Sequence, residues 1–374
     1  MDRMSVAAVE VAAQDAIYAW EPDGEKSPFE KETLFPHTSA ISSRDLLVQS
    51  VWDAADRIRP MAVAVPGWSA PHALAALSWC VRRRVPAIMM SDSTIDDAPR
   101  HWWREKTKGR LVRLCGAALV GGEKHRSYMK RLGMMEERIF TGYDAVDNEH
   151  FARGAKAARK DETVQRAQHS LPKRYFLASC RFVEKKNLFR LLEAFARYRQ
   201  RAGAGAWDLV LLGDGELRAA VEQRIRKLGV SNPVKLPGFK QYDDLPVYYG
   251  LAGAFIHAST VEQWGLVVNE AMAVGLPVVV SKRCGCVPDL VVSGRNGFCF
   301  DPYDVEGLAR LMGLVASDKC DRRAMGLASR EIIARWSPQN FAKNLAKAVN
   351  AACTAPQPKA GLLARGILQT LVRR

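Results

Sequence analysis

The second half of the chain alternates short apolar runs with amphipathic stretches. Apolar runs at Tyr175–Ala178, Asp208–Leu212, Val234–Leu236, Gly253–His257 and Pro277–Val280 predict buried strands, and 187–202, 215–229 and 265–274 predict helices. Strands of that kind separated by helices imply a parallel sheet covered on both faces. Such sheets bind ligands at the carboxyl ends of their strands, and Arg181, Gly213, Ser259 and Glu262 all follow a predicted strand end. The first half repeats the pattern more weakly, with strands at Val6–Ala12, Ala62–Val65, Ala87–Met90, Ala117–Val120 and Arg138–Phe140 and helices at 43–57, 70–83, 98–114 and 123–132. Between the halves, His150–Ser170 has little hydrophobic periodicity and reads as a linker, partly helical. The expected layout is an N-terminal α/β domain over 1–150, a linker over 151–170, a C-terminal α/β domain over 171–335, and a final helix with a basic amphipathic tail over 336–374.

The stretch from Ser259 to Leu290 carries the most chemistry. Glu262 and Glu270 stand eight positions apart around a Trp-Gly break, followed by an apolar helix and a buried strand. A loop running into a helix offers free backbone N–H groups and a positive helix end to an anion. Glu262 falls in the loop before that end and Glu270 about a turn and a half inside the helix. Neither carboxylate suits a phosphate, but each accepts hydrogen bonds from hydroxyls. A ligand with sugar hydroxyls at both extremes and phosphates between them fits, which describes a nucleotide sugar.

The segment resembles the donor site of the retaining glycosyltransferases of family 4, whose Glu-x7-Glu motif stands here as Glu262 to Glu270. Matching pieces lie around it in order: ASCRFVEKKNLFRLLEAFARY (178–198), LVLLGDGELRAAVEQRIRKLG (209–229), VKLPGFKQYDDLPVYYGLAGAFIHAST (234–260) and VVSGRNGFCFDPYDVEGLARLM (291–312). The resemblance is strong over roughly 175–312 and faint before about 135. Two Glu eight apart are common, whereas five motifs in register are not.

The resemblance implies the GT-B fold, two doubly wound Rossmann-like domains facing a cleft, with the donor in the 171–335 domain and the acceptor toward the 1–150 domain. It implies transfer of a sugar from a nucleoside-diphosphate sugar to a hydroxyl acceptor with retention, and with no metal or other cofactor. Arg181 and Lys186 match the family pair that neutralises the donor diphosphate. Glu270 would bind the ribose hydroxyls, Glu262 would contact the donor sugar near the reacting centre, and Gln263, Trp264, Gly265 and Leu266 would offer backbone amides. Gly213 and Gly215 read as turn residues first and nucleotide contacts second. Gly238 and Phe239 would lie near the base, although Phe239 reads equally as a core aromatic. Where relatives often carry a His after the strand matching Ala87–Met90, this chain has Ser91-Asp92-Ser93. Asp92 is a candidate donor-sugar or acceptor contact and equally a candidate helix cap. The strand around Met4–Ala12, followed by AIYAWEPDG, resembles the family's second strand. The usual first strand and Gly-rich turn are therefore expected to be missing, through a misplaced start or a shortened domain.

Composition narrows the partners. The chain has 374 residues, enough for two cores, and 55 Lys and Arg against 40 Asp and Glu give it a charge of +15. That excess favours nucleotide sugars, anionic lipid or nucleic acid, and the lack of a compact recognition motif argues against nucleic acid. Eight Cys without a CxxC pair, and no secretory signal at the start, point to a reducing cytosol. No apolar run is long enough to span a bilayer. Two basic segments are candidates for peripheral contact with an anionic membrane. One is 100–113, where Arg100, Arg104 and Lys108 form a stripe beside Trp102 and Trp103. The other is 359–374, where Leu363, Ile367 and Leu371 share a face, unless it packs on the body of the protein. Two other readings remain open: a truncated or inactive relative that binds a nucleotide or partner without transfer, and a nucleotide-sugar hydrolase or epimerase of the same fold.

Overall fold

The computed structural model describes residues 4–13, 29–356 and 361–373. They form two compact units, one built from 1–143 with 341–374 and the other from 144–340.

In the first unit the strands are β1 (Ala7–Ala12), β2 (Glu30–Phe35), β3 (Val63–Pro66), β4 (Ala87–Ser91), β5 (Ala117–Val120) and β6 (Ile139–Thr141). The sheet β3-β4-β5-β6 is parallel throughout, and β1 and β2 pair with each other in a separate parallel ribbon. Among the described residues this unit's strands therefore fall into two sheets; AIYAWEPDG lies outside the described residues. Strand β2 has no counterpart among the expected strands. Its sequence, EKETLF, buries only Phe35, as an edge strand with a wet face can. Helices Pro71–Arg83, Trp102–Val112 and Leu362–Arg373 share a core with β3–β6 through Leu77, Leu111, Met89 and Leu368. Helix Pro338–Thr354 packs Ala348 and Ala352 against Ile88, Ala117 and Leu119. The last helix packs on the body through Leu368, Leu371 and Val372, and Leu363 of the expected apolar face stays exposed.

The second unit holds β7 (Tyr175–Ser179), β8 (Asp208–Leu212), β9 (Val234–Gly238), β10 (Ala254–His257), β11 (Val278–Ser281) and β12 (Gly297–Phe300). All are parallel in the order β12-β11-β10-β7-β8-β9. Helices cover both faces, Leu188–Ala202 and Val305–Ala316 on one, Asn148–Lys160 and Leu266–Ala273 on the other. The order reverses between β7 and β10, and in a doubly wound sheet that is where a crevice opens at the carboxyl ends.

The linker expected over 151–170 is helical and part of this unit. Helices Asn148–Lys160 and Glu162–Gln168 occupy it, and the first buries Phe151, Ala155 and Ala158, whose spacing marks one helical face. Asp147 caps that helix by accepting the Glu149 and His150 amides, both at 3.0 Å. The sparse apolar positions suffice because the helix lies flat on the short helix Leu245–Gly250, where a Cβ on Gly154 would come within 2.5 Å of Pro246.

Gly213 must be glycine. It has φ +113, and a Cβ there would lie 1.9 Å from the Cys180 carbonyl oxygen. We expect Gly213→Ala to destabilise the protein by about 2 kcal/mol or more in urea denaturation. Gly313→Ala, a helical site where a Cβ meets nothing within 4 Å, should be neutral or stabilising by about 0.5–1 kcal/mol.

Candidate functional site

The loops leaving β7 and β10 meet at the crevice and are sewn together by backbone bonds. After β7 the Phe182 amide donates to the Asp214 carbonyl at 2.8 Å, and the chain makes a tight turn over Glu184–Lys186. Asn187 then takes a left-handed conformation, φ 60, and its buried side-chain amide donates to the carbonyls of Ala258 (3.1 Å) and Pro302 (2.8 Å). The Thr260 amide donates to the Lys185 carbonyl at 2.8 Å. These bonds hold the basic loop against the loop after β10 and bring Lys186 to Glu262.

Three donors converge on Oε2 of Glu262: the Lys186 ammonium, His257 Nε2 at 2.9 Å and Ser259 Oγ at 3.1 Å. Oε1 has no hydrogen-bond donor among the described residues. Burial alone would raise the Glu262 carboxyl pKa, but the His257 bond and the Lys186 charge hold it well below the usual carboxylate range. Burial pushes the His257 imidazole down, against the opposing pull of Glu262. At neutral pH the pair is therefore a carboxylate and a neutral ring, and a neutral ring that donates to Glu262 carries its proton on Nε2.

Gly265, with φ +106, turns the chain into helix Leu266–Ala273, whose first turn no side chain caps. A Cβ on Gly265 would sit 3.4 Å from Glu262 Cγ and 3.7 Å from His257 Nε2, so the open helix end lies directly against the carboxylate cluster. Inside the helix, Glu270 Oε2 accepts from Tyr249 Oη at 2.6 Å. Burial pushes the Glu270 carboxyl up to about 7, with the Tyr249 bond opposing.

Of the residues singled out by sequence, the structure joins Glu262 and Lys186 directly and sets Gly265 beside them. The loops after β7, β8 and β9 are also tied together. Gly213 donates its amide to the Gly238 carbonyl at 3.0 Å, and a Cβ on Gly215 would meet the Phe182 backbone at 2.8 Å. Arg181 is exposed in the loop after β7. Phe239 is 38% exposed, which settles its alternative reading against the core. Gln263 and Leu266 flank the helix start, whereas the Trp264 ring is buried and donates to Asn269 Oδ1 at 2.9 Å, leaving only its backbone for a ligand. Asp92 belongs to the first unit, after β4, and the next helix along the chain begins at Trp102 behind His101.

Sequence reasoning missed His257, Asn187 and Tyr249. The signal for His257 was present: an ionisable ring closing an otherwise apolar strand, two positions before Ser259. Tyr249 gives no such signal, because its bond to Glu270 spans 21 residues.

The family model described as "Glycosyl transferases group 1" matches residues 159–332. The lipopolysaccharide core biosynthesis glycosyltransferase LpsE of Rhizobium meliloti is 34% identical over 154 residues, 41% of this chain and 42% of that protein. The GDP-mannose-dependent alpha-(1-6)-phosphatidylinositol monomannoside mannosyltransferase of Mycobacterium tuberculosis is 25% identical over 348 residues, 78% of this chain and 89% of that protein. The chain thus spans less than half of the first relative and most of the second. The crystal structure of Anabaena Alr3699/HepE in complex with UDP superposes with a TM-score of 0.68 at 19% identity, covering 86% of each chain.

Two stability measurements check this cluster. His257→Leu removes one of three donors from a buried carboxylate and should cost about 1–3 kcal/mol at pH 7. The folded pKa of Glu262 lies below its ordinary value of 4.5, so its contribution is present above that pH and is lost as the pH falls through the folded value. Glu262→Gln should therefore lose less stability than wild type on acidification below that value.

Proposed function

We propose that this chain, which belongs to the group 1 glycosyl transferases and has the GT-B fold, uses the crevice of its second unit to hold a nucleoside-diphosphate sugar and passes the sugar to a hydroxyl acceptor with retention of configuration. The observation that carries this reading is the ionised Glu262, pinned by Lys186, His257 and Ser259 beside an uncapped helix end, with Glu270 on the same helix.

In this reading the diphosphate lies against the backbone amides of Gln263, Trp264, Gly265 and Leu266, where the helix end favours negative charge. Glu270 accepts the ribose hydroxyls, and the loop residues Gly213, Gly215, Gly238 and Phe239 border the nucleotide. Oε1 of Glu262, the oxygen that Lys186, His257 and Ser259 leave open, takes a hydroxyl of the donor sugar. Asp92 is assigned a contact with the acceptor or the donor sugar. The acceptor oxygen attacks the anomeric carbon on the face the leaving group vacates. The bond from that carbon to the diphosphate oxygen breaks, and the acceptor's proton passes to the departing diphosphate. Negative charge grows on the diphosphate as it leaves, so Arg181 and Lys186 stabilise the transition state more than the ground state. Lys186 has three N–H donors, and its bond to Glu262 uses one of them. No metal or further cofactor enters this scheme.

The acceptor is a hydroxyl of a glycan, a lipid-linked glycan or a metabolite, consistent with the lipopolysaccharide core biosynthesis named for the Rhizobium relative. No helix among the described residues is long and apolar enough to cross a membrane. The site of action in this reading is the cytoplasm, or the inner face of a membrane for a lipid-linked acceptor.

Lys186→Ala should lower kcat by about 100-fold or more with a smaller change in donor affinity. Glu270→Ala should weaken donor binding by about 10-fold or more. Steady-state kinetics and equilibrium binding separate the two effects, and unchanged values in both variants would overturn the assignment. Product analysis with and without acceptor distinguishes transfer from hydrolysis or epimerisation.

Ribose binding draws on the ionised form of Glu270, whose pKa is about 7 without ligand. Affinity for a nucleotide sugar, whose diphosphate has no proton to lose near neutrality, should therefore fall about 10-fold from pH 8 to pH 6. Glu270→Gln should flatten that dependence.

A further inference from the structure

Trp102 and Trp103 open helix Trp102–Val112 with 72% and 52% of their surface in solvent. Each ring lies near a cation, Trp102 with the Lys106 ammonium at 4.9 Å and Trp103 with the Arg104 guanidinium at 5.0 Å from the ring centre. The His101 ring stacks on Trp103 at 6.4 Å. The opposite side of the helix is fixed in the core through Leu111 and Val112, and a Cβ on Gly109 would stand 2.9 Å from the Leu132 carbonyl oxygen. The indoles are therefore held outward by a rigid helix.

The basic stripe expected from Arg100, Arg104 and Lys108 does not form. Arg100 and Lys108 turn inward, each donating to Tyr128 Oη at 3.0 Å, and Lys108 also donates to Glu105 Oε1 at 3.0 Å. Tyr128 Oη in turn donates to Glu105 Oε2 at 2.8 Å. The attraction of Glu105, the one acid in the helix, gathers these two cations on the inner side. What remains exposed at the start of this helix is Trp102, Trp103, Arg104 and Lys106, two aromatic and two cationic side chains.

We propose that this surface docks the protein on an anionic lipid bilayer, the two indoles entering the headgroup region and Arg104 and Lys106 pairing with lipid phosphates. Indoles favour that depth because their rings are apolar and their N–H groups polar. Cations beside them gain from the negative surface of the membrane, and combining both signals makes peripheral binding stable where either alone is marginal. The C-terminal helix Leu362–Arg373 is not the chosen surface. It spends Leu368 and Val372 on the core, and Arg44 binds its Leu371 and Val372 carbonyls at 2.7 and 2.8 Å. The inference stands apart from the transfer reading, since vesicle binding and nucleotide binding are measured separately.

The test is sedimentation of the full chain with vesicles of phosphatidylcholine alone and of phosphatidylcholine mixed with phosphatidylglycerol, at about 0.15 M salt. The variants are Trp102→Ser with Trp103→Ser, which keeps the charge, and Arg104→Gln with Lys106→Gln. Wild type should bind the phosphatidylglycerol vesicles, and each double variant should bind them at least about 10-fold more weakly with nucleotide affinity unchanged. Brominated lipid should quench tryptophan emission in wild type and not in the tryptophan double variant. No binding to the anionic vesicles would overturn the proposal. So would equal binding by wild type and the tryptophan variant, which marks adsorption by net charge alone.

Discussion

Burying a carboxylate and keeping it ionised are opposed demands, and the second unit is arranged around meeting both at Glu262. The carboxylate stands where the sheet order reverses, with the β7 and β10 loops converging from either side. Desolvation there favours the protonated acid, so ionisation depends on donors supplied by both loops. His257 and Ser259 come from the end of β10, and Lys186 comes from the loop after β7. Asn187 and Thr260 tie those two loops, and Gly213 lets the next loop close against Cys180. Remove the close approach of the backbones and the three donors no longer meet on one oxygen.

The two acids of the motif illustrate how environment assigns roles to like residues. Glu262 is surrounded by donors and a positive charge and is held ionised. Glu270 lies half-buried on the helix with one phenol as its partner and is pushed up to about 7. Tyr249 cannot supply the positive charge that Lys186 gives Glu262, because a phenol is a neutral donor, and burial and Glu270 keep it protonated by pushing it well above its usual range. One carboxylate is thus charged at neutral pH and oriented. The other gains its charge most readily when hydroxyl groups arrive to bind it.

Much of the second unit was legible in the chain because parallel strands buried on both faces leave unbroken apolar runs. Asp208–Leu212 agrees to the residue, and the other expected strands there agree within two residues at either end. Legibility failed where burial was partial. Strand β2 shows one buried residue among polar neighbours, and helix Asn148–Lys160 buries a face of only three residues, two of them alanines that mark it weakly. At the site, the paired acids, Lys186 and the glycines could be read from local spacing. The bonds from Tyr249 to Glu270 and from Asn187 to Pro302 join distant positions and have no local signature. The inward turn of Arg100 and Lys108 was hidden for the same reason, since Tyr128 comes from another helix.

The most direct measurement is a calorimetric titration of the chain with UDP, GDP, ADP and CMP and their sugar conjugates. One nucleoside diphosphate should bind at one site per chain, and its sugar conjugate should compete for that site. A chain that melts cooperatively yet binds none of these ligands would contradict the assignment of this crevice to a nucleotide-sugar donor.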